Sequence, residues 1–286
     1  MSGLPKSAKC SAMTEATASG TAVHDLEVRA ARLRRHVVSI AAAQRSHLGG
    51  SMSCADIMAA LFFRFLRFQP DGSAYDHFLL SKGHSVHIFH ACMVELEQIS
   101  ASELPLSGGS GSRLGGHPTF RAPGVEFATG SLGHALSAGV GMAMGEALDG
   151  SDKRTVVVLG DGELQEGSVW EAALCAPRFG LENLLAIVDA NEFQASGETA
   201  GLMPVEPIAD KWRAFRWNVI ELDGHDMRAV VEALDSLPAA SGPTVIVAHT
   251  VKGKGVPGVE GTARAHYIKL TAEEVDAASA ALEAVR

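Results

Sequence analysis

The chain has 286 residues, which suits one large α/β domain with a sizeable core. Hydrophobic residues make up 47% but aromatics only 6%, so that core is mostly aliphatic. The diffuse net charge of −9 argues against DNA, RNA or an anionic membrane as the main partner, although a local site for an anionic ligand stays open.

Residues 1–20 are rich in Ser, Ala and Thr, lack a signal-peptide core, and read as a flexible tail before a domain spanning 21–286. No apolar run suggests a transmembrane helix. Cys10, Cys54, Cys92 and Cys175 form no close pair, which points to a reducing, cytoplasmic setting with the cysteines as small core residues. The first predicted element is a helix from Ala22 to Ala43. The Gly-rich turn Ser46-His47-Leu48-Gly49-Gly50-Ser51 follows. A second helix is expected over Ser53 to Phe68, with Ser53 as its cap and Asp56 at the favourable N3 position. His77 to Leu80 has the length of a buried strand, and Ser81-Lys82-Gly83-His84 leads from it into a helix ending near Ile99. Leu104 to Gly124 reads as a long Gly- and Pro-rich loop, a length that suggests function. Ser131 to Leu148 reads as a helix.

From there the pattern is regular. Strands are expected at Thr155–Leu159, Leu184–Val188, Asn218–Leu222 and Thr244–His249. Helices are expected at Ser168–Phe179, Ile208–Phe215, Met227–Ser236 and Thr271–Val285, the last with a Thr271/Glu274 capping box. Short apolar strands alternating with helices indicate an α/β fold: a mostly parallel sheet of five to six strands, flanked by helices and preceded by a helical N-terminal extension.

The chemistry gathers at predicted strand ends, the edge where parallel sheets place ligands. Gly160-Asp161-Gly162-Glu163-Leu164-Gln165-Glu166-Gly167 follows one strand, and Asp189-Ala190-Asn191-Glu192-Phe193 closes the next. The carboxylate of Asp161, the carboxamide of Asn191 and a carbonyl such as that of Phe193 are hard oxygen donors suited to Mg²⁺ beside a diphosphate. Taken singly, Gly-Asp-Gly is a common turn and Asn often makes an Asx turn. Several of the 12 histidines, namely His47, His84, His117 and His134, stand in Gly-rich turns, where a neutral imidazole can meet phosphate or sugar oxygen. His87 and His90 read as structural, and His24, His36 and His77 as ordinary surface or packing residues. His225 serves either the site or only its own turn. Thr250-Val251-Lys252-Gly253-Lys254-Gly255 is either a phosphate-facing loop or a solvated turn. The nucleotide-binding Gly-x-Gly-x-x-Gly pattern, the Walker A lysine loop and zinc spacings are missing.

From about residue 24 to residue 267 these motifs resemble the N-terminal, diphosphate-binding portion of transketolases, most closely the separate N-terminal subunit of split transketolases. The further matches are Gly115-Gly116-His117-Pro118, Pro123-Gly124-Val125-Glu126, Thr129-Gly130-Ser131-Leu132-Gly133-His134 and Trp170-Glu171-Ala172. The resemblance implies the thiamine-diphosphate-binding fold, with thiamine diphosphate and Mg²⁺ as cofactors and Ca²⁺ or Mn²⁺ as substitutes for the metal. Asp161, Asn191 and the Phe193 carbonyl would hold the metal. His84, Gly130, Ser131, Leu132, Gly160, Asp161, Gly162, Glu163, Asn191 and His266 would surround the cofactor. His47, His117 and His266 would face the reacting sugar, and Glu166 would join a buried acidic network linking paired active sites.

The implied reaction moves a two-carbon ketol unit between a ketose and an aldose, most simply their phosphates. The family's pyrimidine-binding domain, with its activating glutamate, would come from a separate C-terminal subunit in an α₂β₂ heterotetramer. The alternatives are another thiamine-dependent transferase, such as one resembling deoxyxylulose-phosphate synthase, and a regulatory subunit that binds cofactor without catalysis. Arg45 replaces a usually small residue, Leu48 a frequent proline and His134-Ala135 a common Gln-Gly, which alters the substrate rim more than the metal site.

Overall fold

The computed structural model describes residues 23–238 and 241–285. The expected tail, the helix start at Ala22 and Cys10 lie outside the described residues. The helices are α1 (Val23–Ala43), α2 (Gly49–Ser53), α3 (Ala55–Ala60), α4 (Val86–Glu95), α5 (Ala135–Leu148), α6 (Gly167–Arg178), α7 (Thr199–Leu202), α8 (Ile208–Ala214), α9 (Met227–Asp235) and α10 (Ala272–Glu283). The strands are β1 (His77–Leu80), β2 (Thr155–Gly160), β3 (Leu184–Ala190), β4 (Phe193–Gln194), β5 (Gly197–Glu198), β6 (Asn218–Asp223) and β7 (Thr244–His249).

Five strands form one sheet in the order β1-β2-β3-β7-β6, and every neighbouring pair is parallel. β4 and β5 make a separate antiparallel hairpin. Alternating strand residues feed two cores. Phe78, Val156, Val158, Ile187 and Ile246 pack with α1, α3, α4 and α9, whereas Leu79, Val157, Leu159, Val188 and Val247 pack with α5, α6 and α8. Burial on both faces explains why these strands read as continuous apolar runs. Because all five strands run the same way, the exits of β1, β2, β3, β6 and β7 share one edge.

The expected helix over Ser53–Phe68 does not form as one unit. It breaks at Cys54 (φ −90°, ψ 11°), and α3 runs on into a π-helical turn, Leu61–Phe65, before Leu66 turns extended. Ser53 caps nothing: it ends α2, and its hydroxyl donates to Gly50 O at 3.2 Å and to Asp189 at 2.7 Å. Asp56 is drawn instead to Arg34 of α1, whose guanidinium grips both carboxylate oxygens at 3.0 and 2.5 Å. A tertiary ion pair has overridden a local capping signal. The helix expected from Ser131 begins at Ala135. Within the expected 104–124 loop, a 3₁₀ helix (Ala101–Leu106) ends, opened by a Ser100/Glu103 capping box. The Thr271/Glu274 box forms as expected. Cys54 and Cys92 are buried, but Cys175 is exposed, correcting its reading as a core residue. Among the described residues no helix is long and apolar enough to cross a membrane.

Candidate active site

The shared strand edge opens into a cavity of about 260 Å³ lined by Lys82, His84, Gly130, Leu132, Gly160, Asp161, Gly162, Glu163, Asn191, Phe193, Gln194, Ala195, Lys252 and His266. Its floor is a buried polar knot on Asp189, the penultimate residue of β3. The Asp189 carboxylate is fully buried and receives the Lys82 ammonium, the Ser53 hydroxyl, the Asn191 carboxamide (2.9 Å) and the Thr250 hydroxyl (2.5 Å). Burial alone would raise its pKa, but Lys82 and the two hydroxyls hold it below the usual range, so it stays ionised. Lys82 also donates to Gly50 O at 2.8 Å. A Cβ at Gly50 would sit 2.6 Å from Ser85 Oγ and 3.2 Å from His84 Nε2, so this turn approaches the site only with glycine there.

Asp161 caps the end of β2. Its Oδ1 accepts Gly162 N–H at 2.7 Å and its Oδ2 accepts Glu192 N–H at 2.6 Å. Burial, then Asp189, pushes its pKa up to about 6. Asn191 lies immediately beyond β3, and its Oδ1 accepts Phe193 N–H at 3.2 Å. The Phe193 carbonyl accepts Lys252 Nζ at 2.9 Å, and that ammonium lies 3.1 Å from His266 Nδ1. Burial and the nearby Lys82 push Lys252 down to about 8. Lys252 is therefore a buried member of the site and not part of a solvated turn, whereas Lys254 is half-buried and absent from the cavity wall.

Three of the four histidines read in Gly-rich turns, His47, His84 and His117, converge with His266, which the resemblance implies. The His47 ring centroid lies 5.5 Å from His84, 5.7 Å from His117 and 5.3 Å from His266, and the Tyr267 ring lies 4.7 Å away. All four imidazoles are pushed below their usual pKa, first by burial. His47 falls to about 4 with help from His117 and Lys252, and His266 to about 4 with help from Lys252. His84 falls well below its ordinary value with help from Lys82, and His117 is lowered by burial. Near pH 7 the cluster is neutral, and each ring offers one donor and one acceptor.

Not every other expected residue reaches the cavity. Glu163 is turned inward: its carboxylate accepts Ser81 Oγ (2.5 Å), Gly133 N–H (2.7 Å) and Gly160 N–H (3.1 Å), joining three loops at the cavity wall. Ser131 and Glu166 are exposed, and neither lines the cavity. His134 is exposed too. His77, expected to be an ordinary packing residue, bridges Glu126 (2.5 Å) and Glu146 (2.8 Å). Lys82 and Asp189 lie inside motifs read from the sequence, but sequence reasoning gives them no role. The available signal is a charged residue at the end of each of two apolar strands, which needs an opposite charge once buried in the sheet.

The family model described as "Transketolase, thiamine diphosphate binding domain" matches residues 24–284. The chain belongs to the transketolase family. It is 40% identical over 261 residues to one subunit of an apulose-4-phosphate transketolase from Phocaeicola vulgatus, an alignment covering 90% of this chain and 93% of that one. It is 38% identical to the 6-deoxy-6-sulfo-D-fructose transketolase subunit SqwG of Clostridium sp., over 83% of this chain and 88% of the relative. Among solved structures, a transketolase from Leishmania mexicana superposes with a TM-score of 0.82 at 30% identity, covering 92% of this chain but 41% of that one. This transketolase-family chain therefore spans about two-fifths of that solved chain. Of the expected five to six strands the parallel sheet has five, and the fold is shared with that transketolase.

The site's donor set fits Mg²⁺ and a diphosphate. Asp161, Asn191 and the Phe193 carbonyl present hard oxygens around one cavity, and the carbonyl retains a second lone pair beside Lys252. Among the described residues no group of three or more His, Cys, Asp or Glu side chains is placed to hold a metal ion.

Proposed function

We propose that this chain, residues 21–286 forming one domain, is the cofactor-binding subunit of a split, cytoplasmic transketolase that moves a two-carbon ketol unit from a ketose to an aldose. The single observation carrying this is the convergence of Asp161, Asn191 and the Phe193 carbonyl with four neutral histidines at one sheet edge. Mg²⁺ would be held by those three oxygens, and the cofactor diphosphate would lie against His84, Gly130, Leu132, Gly160, Gly162 and His266. When bound, thiamine diphosphate supplies the carbon nucleophile and electron sink for ketol transfer.

The chain's own residues bind, orient and manage protons. Asp161 and Asn191 fix the metal end, and the Asp189–Lys82 knot holds the strand ends that carry them. His47 and His117, neutral near pH 7, would take a proton from a sugar hydroxyl and return one to a developing alkoxide. Glu163 keeps the β2 exit in register with the loop at Gly133. Glu166 and Ser131, both exposed, would meet the partner.

A separate partner is supported by relatives of similar length named as transketolase subunits, and that partner would carry the pyrimidine-binding domain and activating glutamate. An α₂β₂ heterotetramer is the proposed assembly. Sugars with an anionic group are the proposed substrates. The exposed Arg45 guanidinium, 5.9 Å from the Tyr267 ring centroid, pairs with no carboxylate among the described residues. The test is ketol transfer from xylulose 5-phosphate to ribose 5-phosphate with thiamine diphosphate and Mg²⁺. The chain is assayed alone and co-purified with its candidate partner. Activity only in the pair supports the reading, and activity of the chain alone overturns the split arrangement. A verified complex silent with phosphorylated, sulfonated and pyruvate donors overturns the catalytic reading.

A further inference from the structure

His225 stands in the turn after β6, outside the cavity wall. Its own backbone N–H donates to Asp223 Oδ1 at 2.8 Å, which closes the turn. The turn is pressed against the exit of β7: Gly224 N–H donates to His249 O at 2.7 Å, and a Cβ on Gly224 would lie 2.6 Å from Thr250 Cγ2. The imidazole of His225 therefore sits between two layers of the molecule. On one side Nδ1 is 2.8 Å from Asp56 Oδ2, and on the other Nε2 is 2.9 Å from Val251 N. A backbone amide can only donate, so Nε2 carries the lone pair and Nδ1 carries the proton that Asp56 accepts. Both partners are fixed by the same tautomer.

Asp56 is itself immobilised, because Arg34 of α1 holds both its oxygens. On the far side, Val251 follows the last rung that joins β7 to β3, where Thr250 N–H donates to Ala190 O at 3.1 Å. The next residue, Lys252, delivers its ammonium to the Phe193 carbonyl and to His266. We propose that His225 is a positioning residue. It ties the Val251 amide to the Arg34–Asp56 pair and so fixes the backbone from which Lys252 reaches the Phe193 carbonyl and the His266 ring. Nothing in this chain of contacts requires His225 to touch substrate or cofactor. Its effect is on how rigidly one carbonyl and one imidazole are presented, the kind of outer-shell support whose loss costs a metal site roughly 10-fold or more.

The inference rests on the thiamine diphosphate reading for its consequence in binding, but not for its geometry. Three variants separate the two contacts of the ring. In His225→Asn the short amide replaces Nδ1 and keeps the bond to Asp56 but falls short of Val251. In His225→Gln the longer amide brings an acceptor to Val251 N–H. His225→Ala keeps neither. The full chain is compared, with its partner, by calorimetric titration with thiamine diphosphate in Mg²⁺, and alone by hydrogen exchange of segment 250–254.

The expected result is about 10-fold weaker binding and faster exchange in the Asn and Ala variants. The Gln variant, which keeps an acceptor for Val251 N–H but not the bond to Asp56, should fall between the parent and the Ala variant, with similar unfolding midpoints for Asn and Gln. Asn behaving as the parent in both measurements would overturn the proposal, since a purely structural role through Asp56 predicts that outcome. Unchanged exchange in all three variants would overturn it whether or not the parent binds the cofactor. A parent that binds no thiamine diphosphate would sink the functional reading, while the exchange data would still decide the role of His225.

Discussion

Asp161 and His87 show two ways in which burial acts on single groups here. Asp161 is a carboxylate held in a low-dielectric cavity by two backbone N–H donors and no cation of its own. Asp161→Asn is expected to weaken Mg²⁺-dependent thiamine diphosphate binding roughly 100-fold or more, while leaving the cofactor-free chain as stable as the parent or more so. Calorimetry and urea unfolding of the same preparation check both halves. His87 and His90 lie outside the cavity wall, sharing the Ser107 hydroxyl at 3.4 Å each, and His90 Nε2 has no partner. Burial, aided by His90, lowers His87 to about 3, and burial lowers His90 to about 4. The unfolded chain therefore binds more protons than the folded one between about pH 6.5 and these values, so stability falls as pH drops through that window. Each buried histidine should cost about 1–2 kcal/mol between pH 7 and pH 5. His90→Leu should flatten the dependence. Urea midpoints for His90→Leu that fall as steeply as the parent's between those pH values would refute this.

Among the elements, α1 and α3 are joined by apolar packing in one core and by the Arg34–Asp56 pair between them. Burial would raise the Asp56 pKa, yet Arg34 and the His225 bond hold it at about 2, and the pair is nearly sealed from solvent. Removing one partner strands a buried charge. Arg34→Met is expected to cost about 3–5 kcal/mol by chemical denaturation. A loss under about 1 kcal/mol would show that the pair is open to water. The helix expected as a single unit over Ser53–Phe68 illustrates the same principle. Its periodicity is readable in the sequence, but the break at Cys54 is not, because the residues flanking it, Ser53 and Asp56, answer to Asp189 and Arg34, both remote in sequence. The five strands of the main sheet are legible to within two residues, since burial on both faces leaves continuous apolar runs in β1, β2, β3 and β7, whereas the short β4–β5 hairpin is not read from the sequence.

At the scale of the whole molecule, the strand exits collect on one edge, which leaves the cavity open to solvent or a neighbour. Leu148, Leu174 and Phe120 are exposed at 84%, 67% and 71%. Co-purification with the candidate partner should give a two-to-two mass by light scattering. A one-to-one mass would refute the proposed assembly, though not the pairing of subunits. The sequence by itself determined the parallel α/β class, the strand ends carrying Asp161 and Asn191, and the histidines in Gly-rich turns. Those features are local, written in apolar runs and in the glycines around them. Only the tertiary structure decided which charges lie side by side. Lys82 meets Asp189 because β1 and β3 flank β2, Lys252 enters the site because β7 lies next to β3, and His225 reaches both Asp56 and Val251 because β6 pairs with β7. Strand order is set by long-range packing, and no window of sequence contains it.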